Sequence, residues 1–438
     1  MAAVAEEQRP IRLVVREDDL HRNRLTVFLR LLLAIPHLIW VALWGIAAIV
    51  VVFVLWLAIL INGKAPTGLH DFVAAYLRYA THLGAYLYLA ANPYPGFRGR
   101  PGYDVDVEID PPVRQSRWSA LFRLLLALPA LALAASLGGG LATGSPGGSW
   151  STTASGDEYT ASGGALTAFG VAAVAAFLLW FVCLARGRAA RGLRDLVAYA
   201  VGYGAQAGGY LFLLTNRYPT SDPALAEPFA DLPEHPVRIV VADDLERSRL
   251  TVVFRLLLAI PHFVWIALWS IAVFFAALVA WVVALATGRV PSSLHRFLAA
   301  YVRYATHLGA FLYLVGRRFP GFTGQAGSYG IDVEIADRER QSRWKTLFRL
   351  FLAIPALILS SALGSVLLVL AVLGWFYALA TGRMPEGLRN LGAACLRYSA
   401  QTYAYFLLLT DRYPYAAPVL RPRAEPTDLS PAPAGDTL

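Results

Sequence analysis

The sequence predicts an all-α integral membrane bundle with short β-strands. It reads as four repeats of strand, apolar helical hairpin and amphipathic helix. Three observations carry this. The 438 residues are 57% hydrophobic and only 15% charged, short of the roughly 25% charge of soluble domains. Uncharged runs cover 31–63, 256–288 and 350–382, each beyond the roughly 18 residues that mark a candidate span. Blocks also recur at fixed spacing: RLLLAIPH at 30–37 and 255–262, RYATHLGA at 78–85 and 303–310, QSRW at 115–118 and 341–344. Repeats of this kind decide the architecture before any local reading does.

The units run 10–97, 103–219, 236–322 and 329–415, in the order A-B-A′-B′. Each opens on an alternating segment: IRLVV from Ile11, YDVDVEI from Tyr103, VRIVV from Val237 and IDVEI from Ile331. An arginine-bearing helix start follows, with Pro36, Pro129, Pro261 or Pro355 six residues after an arginine. Next come the apolar stretch and a GR or GK turn. The closing helix ends in an aromatic-Pro pair: Tyr94-Pro95, Tyr218-Pro219, Phe319-Pro320 or Tyr413-Pro414.

The RLLLAIPH core, the TGR-x-P turn at 287–291 and the DRYP ending at 411–414 resemble the family called domain of unknown function 4389, in four tandem copies. The resemblance covers nearly the whole chain except the tails and an insertion in unit B. It implies a bacterial membrane protein, with no activity and no functional residue to carry over.

Topology is read from that insertion. Arg123 matches Arg349 at an offset of 226, whereas Arg188 matches Arg383 at 195, so unit B holds 31 extra residues. They form a Gly/Ser/Thr-rich stretch near 138–164. Such a loop inside a spanning helix would strand backbone groups in lipid, and at a hairpin tip it costs little. Each apolar stretch is therefore expected to be two legs turning near Gly45, Ser270 and Gly364, giving about eight transmembrane helices. The tips then hold no Lys or Arg. The positive-inside rule puts strands, closing helices and both termini on the cytoplasmic side of the plasma membrane.

Several finer expectations follow. Arg30, Arg123, Arg255 and Arg349 snorkel to the interface, and the closing helices lie along it or pack into the bundle without crossing. Trp40, Trp44, Trp265 and Trp269 form an aromatic belt near the tips. The Asp18-Asp19 and Asp243-Asp244 pairs cap the first legs. MAAVAEEQRP has no apolar run and is not a signal peptide, and 416–438 is a disordered tail. Cys183 and Cys395 fit neither a disulfide framework nor a zinc site.

Arg78/His82 and Arg303/His307, one helical turn apart, are the candidate ligand-binding residues, with His37 and His262 beside them. The same residues serve as headgroup anchors if their helix is interfacial, which the topology favours. Arg12 and Arg238 on A-type strands face Asp104, Asp106, Glu108, Asp332 and Glu334 on B-type strands, so A is expected to pair with B through opposite charges. A metal on the acidic row is disfavoured, because side chains along one strand do not converge.

No P-loop, HExxH, GxSxG or paired CxxC occurs, so neither a catalytic residue nor a cofactor is expected. The net charge of +9 is read as an orientation signal, with no nucleic acid as partner. The expected function is a non-enzymatic scaffold or lipid-organising protein whose partners are the bilayer and anionic headgroups. The alternative is a channel or transporter for a small, anionic solute at the Arg/His residues of A and A′.

Overall fold

The computed structural model describes residues 9–16, 19–138, 170–225 and 235–419. Asp18, most of the insertion and the tail from 420 onward lie outside the described residues.

Each uninterrupted apolar run forms one long helix where a hairpin was expected. α1 (Arg24–Phe28) leads into α2 (Arg30–Asn62), a single helix of 33 residues that continues through Pro36. The third unit merges the two pieces into α8 (Arg249–Thr287), and the fourth has α10 (Arg343–Leu347) and α11 (Arg349–Thr381). α2, α8 and α11 are long and apolar enough to cross a membrane. In the second unit, α4 (Arg117–Leu121) precedes α5 (Arg123–Gly138) and α6 (Val171–Arg186). Counted together with Gly170, these last two equal the 33 residues of α2 and α11. Both pack along the same closing helix, so the insertion interrupts one long helix.

The expectation of eight hairpin legs is thus overturned, for an identifiable reason. Interrupting a helix is ruinous only where the freed backbone meets lipid. Here the break is walled by protein: Leu137, Gly138, Gly170 and Val171 are buried, and the Tyr88 hydroxyl donates to the Gly138 carbonyl at 3.0 Å. Gly45 and Ser270 are not turns either. They lie against the closing helix, where the Ser270 hydroxyl is 2.8 Å from that of Tyr301.

Long helices end as the GR and GK signals predict. Gly63, Gly187, Gly288 and Gly382 take left-handed conformations as C-caps, which glycine adopts without a Cβ penalty. The closing helices follow: α3 (Thr67–Leu87), α7 (Arg191–Leu211), α9 (Ser292–Leu312) and α12 (Glu386–Phe406). They pack into the bundle, the second of the two expected placements. They form the buried centre, whereas α2 and α8 expose apolar faces such as Leu31 (75%) and Leu256 (72%).

The four arginines expected to snorkel are buried. Arg30 donates to the carbonyls of Tyr86 (2.6 Å) and Ala91 (3.1 Å) at the end of α3, with its guanidinium 4.3 Å over the Tyr86 ring. Arg255 repeats this on Phe311 and Gly316, and Arg349 on Tyr405 and Thr410. Arg123 holds Thr215 and lies 4.1 Å over Tyr210. Each closes the carbonyl end of its own unit's closing helix, where a cation also meets the negative end of the helix dipole.

A second set works between units. Arg24 donates to Ala185 at the end of α6, and Arg117 to Ile61 at the end of α2. Arg249 donates to Ala380 on α11, and Arg343 to Ala286 on α8. The start of each long helix is thereby tied to the end of its partner's.

Strand pairing follows the charge reading. β1 (Ile11–Val15) pairs antiparallel with β2 (Val105–Ile109), placing Arg12 opposite Glu108. β3 (Val237–Val241) pairs with β4 (Ile331–Ile335), placing Arg238 opposite Glu334. The result is two separate two-stranded sheets. Asp19, Asp243 and Asp244 do not cap helices as expected. Asn23 caps α1, while Asp243 ion-pairs with buried Arg247 at 2.6 Å.

Replacing Arg349 with Met, which keeps length and loses the donors, should destabilise the protein by roughly 3–5 kcal/mol. It strands the Tyr405 and Thr410 carbonyls and Asp411. Lys should rescue only partly, because it lacks the forked donor geometry. Urea unfolding in detergent micelles, followed by circular dichroism, measures this; an unchanged midpoint for Met refutes the capping role.

Candidate functional site

Helical spacing puts Arg78 and His82 on one face of α3, where strand β2 runs alongside. The His82 Nε2 lies 2.7 Å from Asp106 Oδ1. Arg78 Nε donates to the Val107 carbonyl at 3.0 Å and lies 3.7 Å from Asp106 Oδ1. The carboxylate also accepts the Gly102 N–H at 2.6 Å and the Val107 N–H at 2.8 Å. Tyr103 covers the imidazole with ring centroids 4.7 Å apart. His82 and Asp106 are both buried.

The third and fourth units rebuild the same assembly. His307 Nε2 is 2.7 Å from Asp332 Oδ1, and Arg303 Nε donates to Val333 at 3.0 Å. Gly327 and Val333 donate their N–H groups to Asp332, and Tyr329 stacks on His307. Burial alone pushes both aspartates up. The imidazole hydrogen bond and charge, with the two amide donors, outweigh it and hold both carboxyls below the usual range.

His37 and His262 do not join these clusters. The Nδ1 of His37 meets the Tyr79 hydroxyl at 2.6 Å, and its ring stacks on Phe97 at 4.2 Å with Tyr94 at 4.5 Å. His262 does the same with Tyr304, Phe322 and Phe319. Trp40, expected at a hairpin tip, instead donates to the Phe97 carbonyl at 2.9 Å, as Trp265 does to Phe322.

One connector therefore serves both histidines. Phe97 reaches His37, Tyr103 reaches His82, and Gly99 sits between them against α3. Gly99 has φ +56, and a Cβ there would lie 2.2 Å from the Ala75 carbonyl oxygen; Gly324 is alike, 2.0 Å from Ala300. No side chain fits at that approach.

Asp106 and Asp332 were not expected as partners of His82 and His307, which stand on a helix 24 and 25 residues upstream. A signal was present. The closing helices that carry THLGA are followed by connectors with G-F-x-G and then Tyr-x-x-Asp, at 96–106 and 321–332. In α7 and α12, Gln206 and Gln401 accept backbone N–H groups of Thr220 and Tyr415. Chemically, the cluster can hold a proton between imidazole and carboxylate and fix a strand edge to a helix. Among the described residues, no group of three or more His, Cys, Asp or Glu is placed to hold a metal ion.

The lowered aspartates make a signed prediction. A carboxyl depressed by folding stabilises the fold above about pH 4, and that contribution is lost as pH falls through the folded-state value. Asp106→Asn with Asp332→Asn should lower stability at pH 6 and flatten its decline towards pH 2. Urea midpoints measured across that range give the slope; an unaltered slope contradicts the assignment.

The comparisons with known proteins come down to a family model. It is described as a domain of unknown function and matches residues 24–98, 249–323 and 343–417, together more than half of the chain. The matched stretches hold α1–α3, α8–α9 and α10–α12; α4–α7 fall outside them. No curated protein and no solved structure matches. The chain belongs to the family called domain of unknown function 4389, which it carries in three copies.

Proposed function

We propose that the chain is a non-enzymatic membrane protein, a scaffold that organises lipid at the inner face of a plasma membrane, with both termini on that side. One observation carries this reading: polarity is inverted relative to a protein that folds in water. Leu31, Ile46, Leu256, Phe274 and Phe351 are each at least 64% exposed, while Arg30, His82, Asp106, Arg255 and His307 are buried. Apolar surface on this scale marks an interaction face, and acyl chains are its natural partner. Exposed Arg24, Arg117, Arg249 and Arg343 stand at the ends of the long helices, where anionic headgroups suit them.

The stretch 103–219 is read as a fourth, diverged copy of the family unit. Its helices come in the same order, and Arg123 closes α7 as Arg30 closes α3. The channel or transporter reading needs Arg78, His82, Arg303 and His307 to face a path. Their bonds to Val107, Asp106, Val333 and Asp332 point inward to protein instead.

Flotation with vesicles tests the proposal. Protein freed of detergent should rise with phosphatidylglycerol-containing vesicles, and less with purely zwitterionic ones. A monodisperse, water-soluble protein that stays at the bottom refutes the membrane reading. Equal recovery with both vesicle types refutes the headgroup preference.

A further inference from the structure

The start of α2 and the start of α4 lie at opposite ends of α2. Arg30 is bound to Tyr86 at the end of α3, whereas Arg117 is bound to Ile61 at the end of α2. The connector 88–116 therefore travels the length of α2, about 50 Å at 1.5 Å per residue. It carries Arg98, Arg100, Asp104, Asp106, Glu108, Asp110 and Arg114 on the way. The connector 313–342 does the same along α8, from Phe311 beside Arg255 to Arg343 beside Ala286.

The two units of a half are also related by a pseudo-two-fold axis. The Arg22 N–H donates to Gly187 at 2.8 Å, and the Gln115 N–H to Gly63 at 2.9 Å. The other half pairs Arg247 with Gly382 and Gln341 with Gly288. α3 and α7 run antiparallel, Gly84 approaching Val201 and Gly209 approaching Leu77. Both ends of each long-helix pair consequently present the same chemistry, including Arg24 at one end and Arg117 at the other.

We propose that the long helices lie in the plane of the membrane, embedded in the acyl chains of one leaflet, with strands and connectors facing water. The inference rests on the membrane reading above. If the helices crossed, each connector would recross as extended chain. Glu108 and Asp110, with side chains 56% and 39% exposed, would sit at hydrocarbon depth at several kcal/mol each. Positive charge would also fall on both sides, with Arg24 at one end and Arg117 at the other, against the positive-inside rule.

The apolar stripe fits the flat placement. Exposed Leu25, Leu32, Ile39, Leu43, Ile46, Val50 and Ile61 run along one face for roughly 54 Å. The hydrocarbon core is only about 30 Å thick. A helix lying in the plane uses the whole stripe, and the basic residues at both ends then reach headgroups of a single leaflet.

Two measurements on the full chain decide it. Lys64→Cys, just past the end of α2, and Asn92→Cys, beside the Ala91 carbonyl that Arg30 holds at its start, are labelled with a membrane-impermeant maleimide in spheroplasts and in inverted membrane vesicles. The flat placement expects both sites to label from the same side, and labelling from opposite sides overturns it. In phosphatidylglycerol-containing vesicles, nitroxides at Leu25→Cys, Leu43→Cys and Ile61→Cys should report one common depth. A profile deepest at Leu43 and shallow at both ends overturns the proposal even where labelling is ambiguous. Protein absent from the membrane fraction is a different result, and refutes the membrane reading itself.

Discussion

An arginine at the carbonyl end of a buried helix is the interaction on which the rest of this structure depends. A helix terminus leaves unpaired carbonyls, and in a dry interior each must find a donor. The closing helices end inside the protein, at Leu89, Leu213, Leu314 and Leu408, all with φ between 60 and 64°. That left-handed turn is unfavourable for leucine and turns the last carbonyls into one pocket. A guanidinium fills it because it offers several donors in one plane and stacks on an aromatic face. In the A-type units a second arginine assists, Arg22 or Arg247, and in the B-type units Gln115 or Gln341 takes its place.

This constraint orders the layers. Because the capping arginine stands at the start of the long helix, the long helix must begin where the closing helix ends, and the pair is antiparallel. The interunit arginines then bring the start of one long helix to the end of the next. Polar groups are drawn inward by the caps, so between their ends the outward faces of α2 and α8 are apolar. The connectors between units lie across the closing helices, where Asp106 and Asp332 fasten them through His82 and His307.

How much of this was legible varied with the range of the interaction. The glycine turns and the A-to-B strand pairing follow from local pattern: alternation, left-handed glycines and opposite charges at matching strand positions. The caps were harder, since Arg30, Arg255 and Arg349 find their carbonyls 56 residues downstream, at Tyr86, Phe311 and Tyr405. That constant spacing to an aromatic residue was visible in the repeats. Its meaning was not, because arginine beside an apolar run reads equally well as a snorkelling anchor. The hairpin expectation failed differently. It assumed that lipid surrounds the point of insertion, whereas Tyr88 and buried small residues surround it.

The same physics explains why the A-type and B-type units diverge in their polar residues while sharing a frame. In A and A′, the connector after the closing helix becomes the strand that lies along it, so a histidine on that helix meets an aspartate on that strand. In B and B′, the segment after the closing helix leads away; Gln206 and Gln401 receive a backbone N–H from it, and Gln401 also donates to the Val237 carbonyl. In B′ the arginine of the Arg–His pair is kept as buried Arg397, which donates to the Val419, Tyr415 and Ala417 carbonyls, and only the histidine gives way to glutamine. His82 and His307 thus stand in the units whose following strand supplies a carboxylate. The His–Asp clusters follow from the chain path, and they fix the connectors along which the two strands of each sheet meet.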